Sequence, residues 1–369
     1  MSLAAALREK QVVVILGTGG VGKTTISAAT ALEGARHRKT LVLTVDPARR
    51  LADSLGVKLG SEIVNVGPNL DALMLDTKAA LDALVKRYAP SADTLGRILS
   101  SRFYEQLSDA FAGSEEFVAM GTLHDLVVDG KYDLIVVDTP PSSHAIEFLR
   151  VNRKLIRVYE SGVVKYLFNP TRFLRLGGGY MMGVLSRWTS SEYIEEIAEF
   201  MTTFDQMFAD METRVRAIDA VLNDPTRASL HVVATAEEES VPQTARLYHD
   251  VAEGLGLTID SLVVNRHYPR LKGIEVANAL ADPSYHSGAV RRVAAATGVG
   301  DDAAAKFIDD AVRAGQFYEA LAADDEKYER MLRERIPIPF TVVPAMPGSV
   351  HDLAGLERVR ASLFDAKAA

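Results

Sequence analysis

One stretch constrains this chain more than any other: Gly17-Thr18-Gly19-Gly20-Val21-Gly22-Lys23-Thr24-Thr25. It follows an apolar run, Val12-Val13-Val14-Ile15-Leu16, and opens into a helix-compatible segment from Ile26 to Arg36. Strand, glycine loop and helix in that order, with G-x-x-x-x-G-K-[ST] met by Gly17, Gly22, Lys23 and Thr24, form the phosphate-loop pattern. Glycines at 17, 19, 20 and 22 let the backbone N–H groups, that of Val21 among them, curl around a polyphosphate. The helix start at Lys23, Thr24 and Thr25 adds its partial positive charge at the same point. Lys23 is placed to bridge the β- and γ-phosphates, and the Thr24 hydroxyl to ligate Mg²⁺. A glycine-rich turn that binds nothing would need neither Lys23 nor Thr24. The expectation is a bound nucleotide.

The rest of the chain alternates strands and helices. Strands are predicted at 39–45, 63–66, 73–76, 132–137, 230–235, 261–265 and 339–343, with helices over 49–55, 242–255 and 353–364 and a helical stretch over 79–127. Such alternation implies an α/β fold with a doubly wound, mainly parallel sheet. Between Asn152 and Asn223 the character turns mostly helical. The predicted organisation is an ATPase-type core over 1–151, a helical insertion over 152–223, and the second part of the core over 224–369 with a helical segment at 274–335.

Three strand ends carry candidate chemistry. Leu134-Ile135-Val136-Val137 ends in Asp138, which would hold Mg²⁺, against the alternative of an acid capping the next turn. Asp46 ends the second strand beside the phosphate loop and could orient an attacking water, or simply form an Asp-Pro turn. Asn265 ends a later strand at the same edge, where its carboxamide could read an adenine edge.

A net charge of −8 and pI near 5.6 argue against a general affinity for nucleic acid or anionic membrane. The absence of cysteine excludes disulfides, thiolate metal sites and thiol catalysis. Met1–Gln11 is too short and polar for a signal peptide, and no window approaches about 18 apolar residues. Stable membrane insertion is not expected, and the expected compartment is the cytoplasm.

Taken together, Gly17–Thr25, Thr44-Val45-Asp46-Pro47-Ala48, Asp138-Thr139-Pro140-Pro141 and Val263-Val264-Asn265 resemble the ArsA family, which includes the arsenite-pump ATPase and the ATPase that targets tail-anchored membrane proteins. The resemblance is strongest through Asp46–Gly56 and the helix ending Leu222-Asn223-Asp224-Pro225. It implies a P-loop NTPase of the deviant Walker A type that hydrolyses ATP to ADP with Mg²⁺. It also implies that Asp46 acts on the catalytic water, that 138–143 form switch II, that Asn265 contacts adenine, and that Pro344 closes over the base. Members work as nucleotide-sandwich dimers. Two departures bear on partners. Thr18 stands where the family loop carries a lysine that reaches the partner's nucleotide, and without cysteine neither the arsenite site nor the zinc site of relatives is expected.

In the targeting relatives, helices at the insertion line a groove for an apolar client. Here Ile194, Ile197, Met201, Phe204, Phe208, Met211, Val215 and Ile218 recur at steps of three and four, one apolar helix face. That face fits either the protein's own core or a client groove. The sequence reading is therefore an ArsA-like ATPase whose nucleotide-driven dimer rearrangement controls a protein client or partner. One alternative is a weakly hydrolysing nucleotide-binding subunit paired with a lysine-bearing paralogue instead of a homodimer. A MinD/ParA-type positioning ATPase is the third, though residues 357–369 lack its basic amphipathic tail.

Overall fold

In the computed structural model the residues described are 1–46, 50–89, 91–101, 104–105, 115–141, 145–150, 156–157, 210, 213–271, 279–280, 282–348, 350 and 352–365. Strand β1 (Val12–Gly17) is fully buried along its length. Its alternate residues enter opposite apolar layers: Val12, Val14 and Leu16 one, Val13 and Ile15 the other. A strand covered on both faces reads in sequence as an unbroken apolar run, as this one does.

The other strands are β2 (Thr40–Thr44), β3 (Val64–Gly67), β4 (Leu70–Met74), β5 (Leu134–Asp138), β6 (Ala228–Thr235), β7 (Ile259–His267) and β8 (Phe340–Pro344). Among the described residues they form one sheet in the order β3-β4-β2-β5-β1-β6-β7-β8. All neighbours are parallel except β3 and β4, an antiparallel hairpin at one edge. β1 has Ile135 of β5 opposite Val12 on one side and Ala228 of β6 on the other. The mainly parallel α/β sheet expected from the sequence is what the chain forms.

Helices cover both faces. One layer buries residues of α1 (Leu3–Glu9), α2 (Lys23–Ala35), α3 (Arg50–Leu55) and α10 (Leu353–Phe364) against β1, β2 and β5. The opposite layer takes α6 (Glu115–Asp129), α7 (Ser240–Ala252) and the C-terminal end of α9 (Asp301–Arg335). Helices α4 (Thr77–Tyr88) and α5 (Ala92–Ser100) lie between β4 and α6 in the chain. No described helix is long and apolar enough to cross a membrane.

The structure departs from the sequence reading in three places. Residues before β1 are not merely a polar lead. Leu3, Ala6 and Leu7, at helical spacing, are buried in α1, which Ser2 caps by accepting from the Ala5 amide at 3.3 Å. Strand β4 also begins earlier than expected, at Leu70, after Asn69 turns the chain with φ 58. Asp76, read as strand, instead caps α4, accepting from the Ala79 amide at 2.9 Å. Finally, the helical stretch 274–335 contains a hairpin of α8 (Pro283–Thr297) and α9, turned at Gly298 with φ 74. It carries a small apolar cluster of its own, from Ala289, Val290, Ala304, Ile308 and Val312.

Of the insertion, residues 213–223 are helical and enter the core. Val215 and Ile218 are buried, and Ile218 packs with Val221 and Leu222 in the α6/α7 layer. Arg214 moors the segment to Asp125 of α6 and to Asp210, which also accepts from the Tyr88 hydroxyl. That end of the apolar stripe is therefore core. Ile194, Ile197, Met201, Phe204, Phe208 and Met211 lie outside the described residues.

Candidate nucleotide site

The loop between β1 and α2 is shaped by glycines whose need can be stated atom by atom. Gly22 has φ 91, and a Cβ there would stand 2.3 Å from Asn265 Nδ2. A Cβ on Gly17 would stand 2.5 Å from the Val233 carbonyl oxygen of β6. Gly20, with φ 80, and Gly19 have open space where a Cβ would be. The loop thus packs tightly against β6 and β7 on one side and leaves bare backbone on the other. Val21 is buried with the α2 layer and ties the loop down.

Open backbone faces a cavity of about 650 Å³, within the usual range for small-molecule sites. Gly20, Gly22, Lys23, Thr24 and Thr25 line it from the loop; Asp46 and Asn265 line it from the ends of β2 and β7; Pro344 lines it from the end of β8. Sequence reasoning also placed Asp138, Gly17, Gly19 and Val21 here. These four lie outside the wall, the first beneath it and the others in the loop that shapes it. Missed were Arg50, Asp53 and Ser54 of α3, Arg266 and Tyr268 beyond Asn265, and Ala345, Met346, Gly348, Val350 and Val359. The α3 residues belong to the noted Asp46–Gly56 run. Arg266 and Tyr268 lie at and just past the end of β7, and the rest occupy a turn and helix without a pattern of their own. Pro47–Arg49 and Ser142–Ser143, parts of the two predicted switches, lie outside the described residues.

Lys23 is buried and donates from Nζ to the Thr18 carbonyl at 2.7 Å. Burial pulls its ammonium below the usual lysine range, while the charges of Asp138 and Asp46 work against that. Asp138 is wholly buried at the end of β5, in register with Ile15 and Thr44. It accepts from Ser27 Oγ at 3.1 Å, from Thr44 Oγ1 at 3.0 Å, and from the Thr24 hydroxyl. Burial pushes its carboxyl up to about 6, against those hydroxyls and the Lys23 charge. A buried carboxylate ringed by hydroxyls, with Thr24 at the cavity floor, is an all-oxygen donor set that suits a hard divalent cation. Asn265 donates from Nδ2 to the Val21 carbonyl at 2.9 Å, so its amide braces the loop as well as lining the cavity. Asp46 lines the same wall, its backbone amide donating to Thr44 Oγ1 at 3.3 Å.

The Anion-transporting ATPase family, ArsA, matches residues 10–275. The chain belongs to this family. As an ArsA-family protein it is a nucleotide-binding P-loop ATPase. Over 256 residues it is 27% identical to the ATPase GET3 of Malassezia globosa, a match covering 68% of this chain and 70% of that one. Over 265 residues it is 28% identical to a putative arsenical pump-driving ATPase of Chlorobaculum tepidum, covering 69% and 61%. The corresponding protein of Halobacterium salinarum is 29% identical over 265 residues, covering 71% of this chain and 35% of its own length. The chain thus spans less than two thirds of the length of these two ArsA relatives.

Proposed function

We propose that this ArsA-family chain hydrolyses ATP to ADP with Mg²⁺ and that its nucleotide state controls association with a protein partner. One observation supports the chemistry above all: residues that follow β1, β2 and β5 and residues that end β7 and β8, far apart in sequence, line one cavity at a single sheet edge. Thr24 and Asp138 would hold Mg²⁺, which neutralises charge on the transferring phosphoryl group. Lys23, released from the Thr18 carbonyl, would take the β- and γ-phosphate oxygens. Asp46 would orient water, Asn265 would meet the adenine, and Pro344 would close over it. Steady-state ATP turnover, with Lys23→Ala as blank, is the test. Lys23→Ala should lose tight ATP binding. Asp46→Asn should keep binding and lose at least about a hundredfold in turnover. Equal turnover in Asp46→Asn would remove Asp46 from catalysis.

A second reading, a hetero-oligomer in which a lysine-bearing paralogue completes the site, is favoured by Thr18. The family loop carries a cation there, whereas Thr18 is buried and offers only its carbonyl to Lys23. Bound ATP without turnover, restored by adding such a paralogue, would select it over the homodimer. An apolar client on the helical insertion ahead of its buried end at 213–223 and a cytoplasmic location belong to the same proposal.

A further inference from the structure

In a regular strand, neighbouring side chains point to opposite faces. At the end of β7 they do not. Val264 pairs with Val342 and His267 with Pro344, so Asn265 and Arg266 together oppose the single residue Val343 of β8. This is a β-bulge, and its extra residue, Arg266, has φ 59, in the left-handed region that a long side chain rarely adopts. The result is that both side chains reach the phosphate loop. Asn265 Nδ2 donates to the Val21 carbonyl at 2.9 Å, and Arg266 Nη1 donates to the adjacent Gly20 carbonyl at 3.3 Å. The ladder resumes at once, the Ala345 amide donating to the His267 carbonyl at 2.9 Å, and the Tyr268 amide beyond it is held by the Asp325 carboxylate at 2.6 Å. The distortion is thus confined to the residue it re-aims. Backbone held in a costly conformation beside a site points to a task for its side chain.

Arg266 is exposed at the cavity wall, across the loop from the buried Lys23. With threonine at position 18, Lys23 is the loop's one cation, and a polyphosphate carries more negative charge than it offsets. We propose that Arg266 is a nucleotide-binding residue, a guanidinium that the bulge presents to the polyphosphate from outside the loop. Its planar fork suits paired phosphate oxygens, and the weak Gly20 contact is a parking position given up when the ligand arrives. The proposal rests on the reading of the cavity as a nucleotide site.

The test is isothermal titration of ATP, ADP and AMP into the full chain and its Arg266→Gln, Arg266→Gly, Arg266→Lys and Lys23→Ala variants, with thermal unfolding of each nucleotide-free protein. Arg266→Gln and Arg266→Gly should each weaken ATP by about tenfold or more and ADP somewhat less, with AMP changed least. Arg266→Lys should recover part of the loss. Arg266→Gly should unfold no earlier than the parent, because glycine relieves the left-handed backbone. Unchanged ATP affinity in both Arg266→Gln and Arg266→Gly, beside a dead Lys23→Ala, would overturn the Arg266 role alone. So would equal losses for ATP and AMP, which would mark a brace of the loop and not a phosphate ligand. Unchanged ATP affinity in Lys23→Ala would overturn the nucleotide site itself, and the role of Arg266 with it.

Discussion

At the scale of the residue, the loop is specified by what its glycines exclude. Gly22→Ala must hold alanine at φ 91 and push its Cβ into Asn265 Nδ2. The expected cost is about 2 kcal/mol of stability, with weaker ATP binding, read from urea midpoints and titration. A second residue prediction concerns pH. His231 is buried between strands, Nδ1 at 2.7 Å from Ser261 Oγ and Nε2 at 3.1 Å from Ser229 Oγ. Burial pulls its imidazole down to about 3 from an ordinary 6.5. The unfolded chain therefore takes up a proton that the folded one refuses. The stability this neutral histidine supplies is whole above about pH 6.5 and fades as pH falls toward 3, at up to about 1.4 kcal/mol per pH unit. His231→Gln should flatten that acid slope in urea midpoints taken at about pH 7 and about pH 5. The motif residues were legible in the sequence because their meaning lies in spacing: Lys23, Thr24, Asp46 and Asp138 each end or follow an apolar run. Arg266 was not, because its direction depends on one backbone angle.

At the scale of the element, α10 shows how the cavity wall is fastened. Arg360 is buried and donates to Glu33 of α2 at 2.6 Å, to Glu357 at 2.7 Å and to Asp365 at 3.0 Å. It thus straps the helix carrying Val359 to the helix that opens at Lys23. Arg360→Ala should cost about 2 kcal/mol in chemical denaturation, because Glu33 is left half-desolvated while Glu357 and Asp365 return to water. Nucleotide affinity should fall with it, since the 344–359 wall loses its anchor. Strands such as β1, β5 and β6 were plain from their apolar runs, and α10 was read to the residue. The α1 helix was missed because its apolar face is a single short cluster, and β4 was misplaced because Asp76 reads equally as strand or cap. The hairpin of α8 and α9 blurred into one stretch, its Gly298 break weaker in sequence than the polar helix on either side.

For the whole molecule, the family could be read before any coordinates from its resemblance in four motif stretches, and the α/β layering from the strand–helix alternation. The sheet order could not, because parallel strands pair across long connections that leave no local trace. The division of the apolar stripe was equally hidden. Val215 and Ile218 are core, and a helical period alone does not say which neighbour fills the groove. The molecule-scale prediction concerns assembly. If copies of this chain pair as the family's dimers do, Thr18→Lys should raise ATP turnover by about tenfold or more, as a supplied cation does in other phosphoryl-transfer enzymes. No change, with a monomer by sedimentation, would turn attention to a distinct partner chain.

The central place of β1 also has a consequence in time. The phosphate loop is made early, yet its strand has no neighbour until residues of β5 arrive, no second neighbour until β6, and no cavity until 344–359. At about 5–20 residues per second, a ribosome exposes that apolar strand for on the order of tens of seconds before it is covered on both sides. Such long-range closure makes for slow folding and a nascent chain that invites chaperones. Nucleotide capture would then report that synthesis and folding of the whole core are complete.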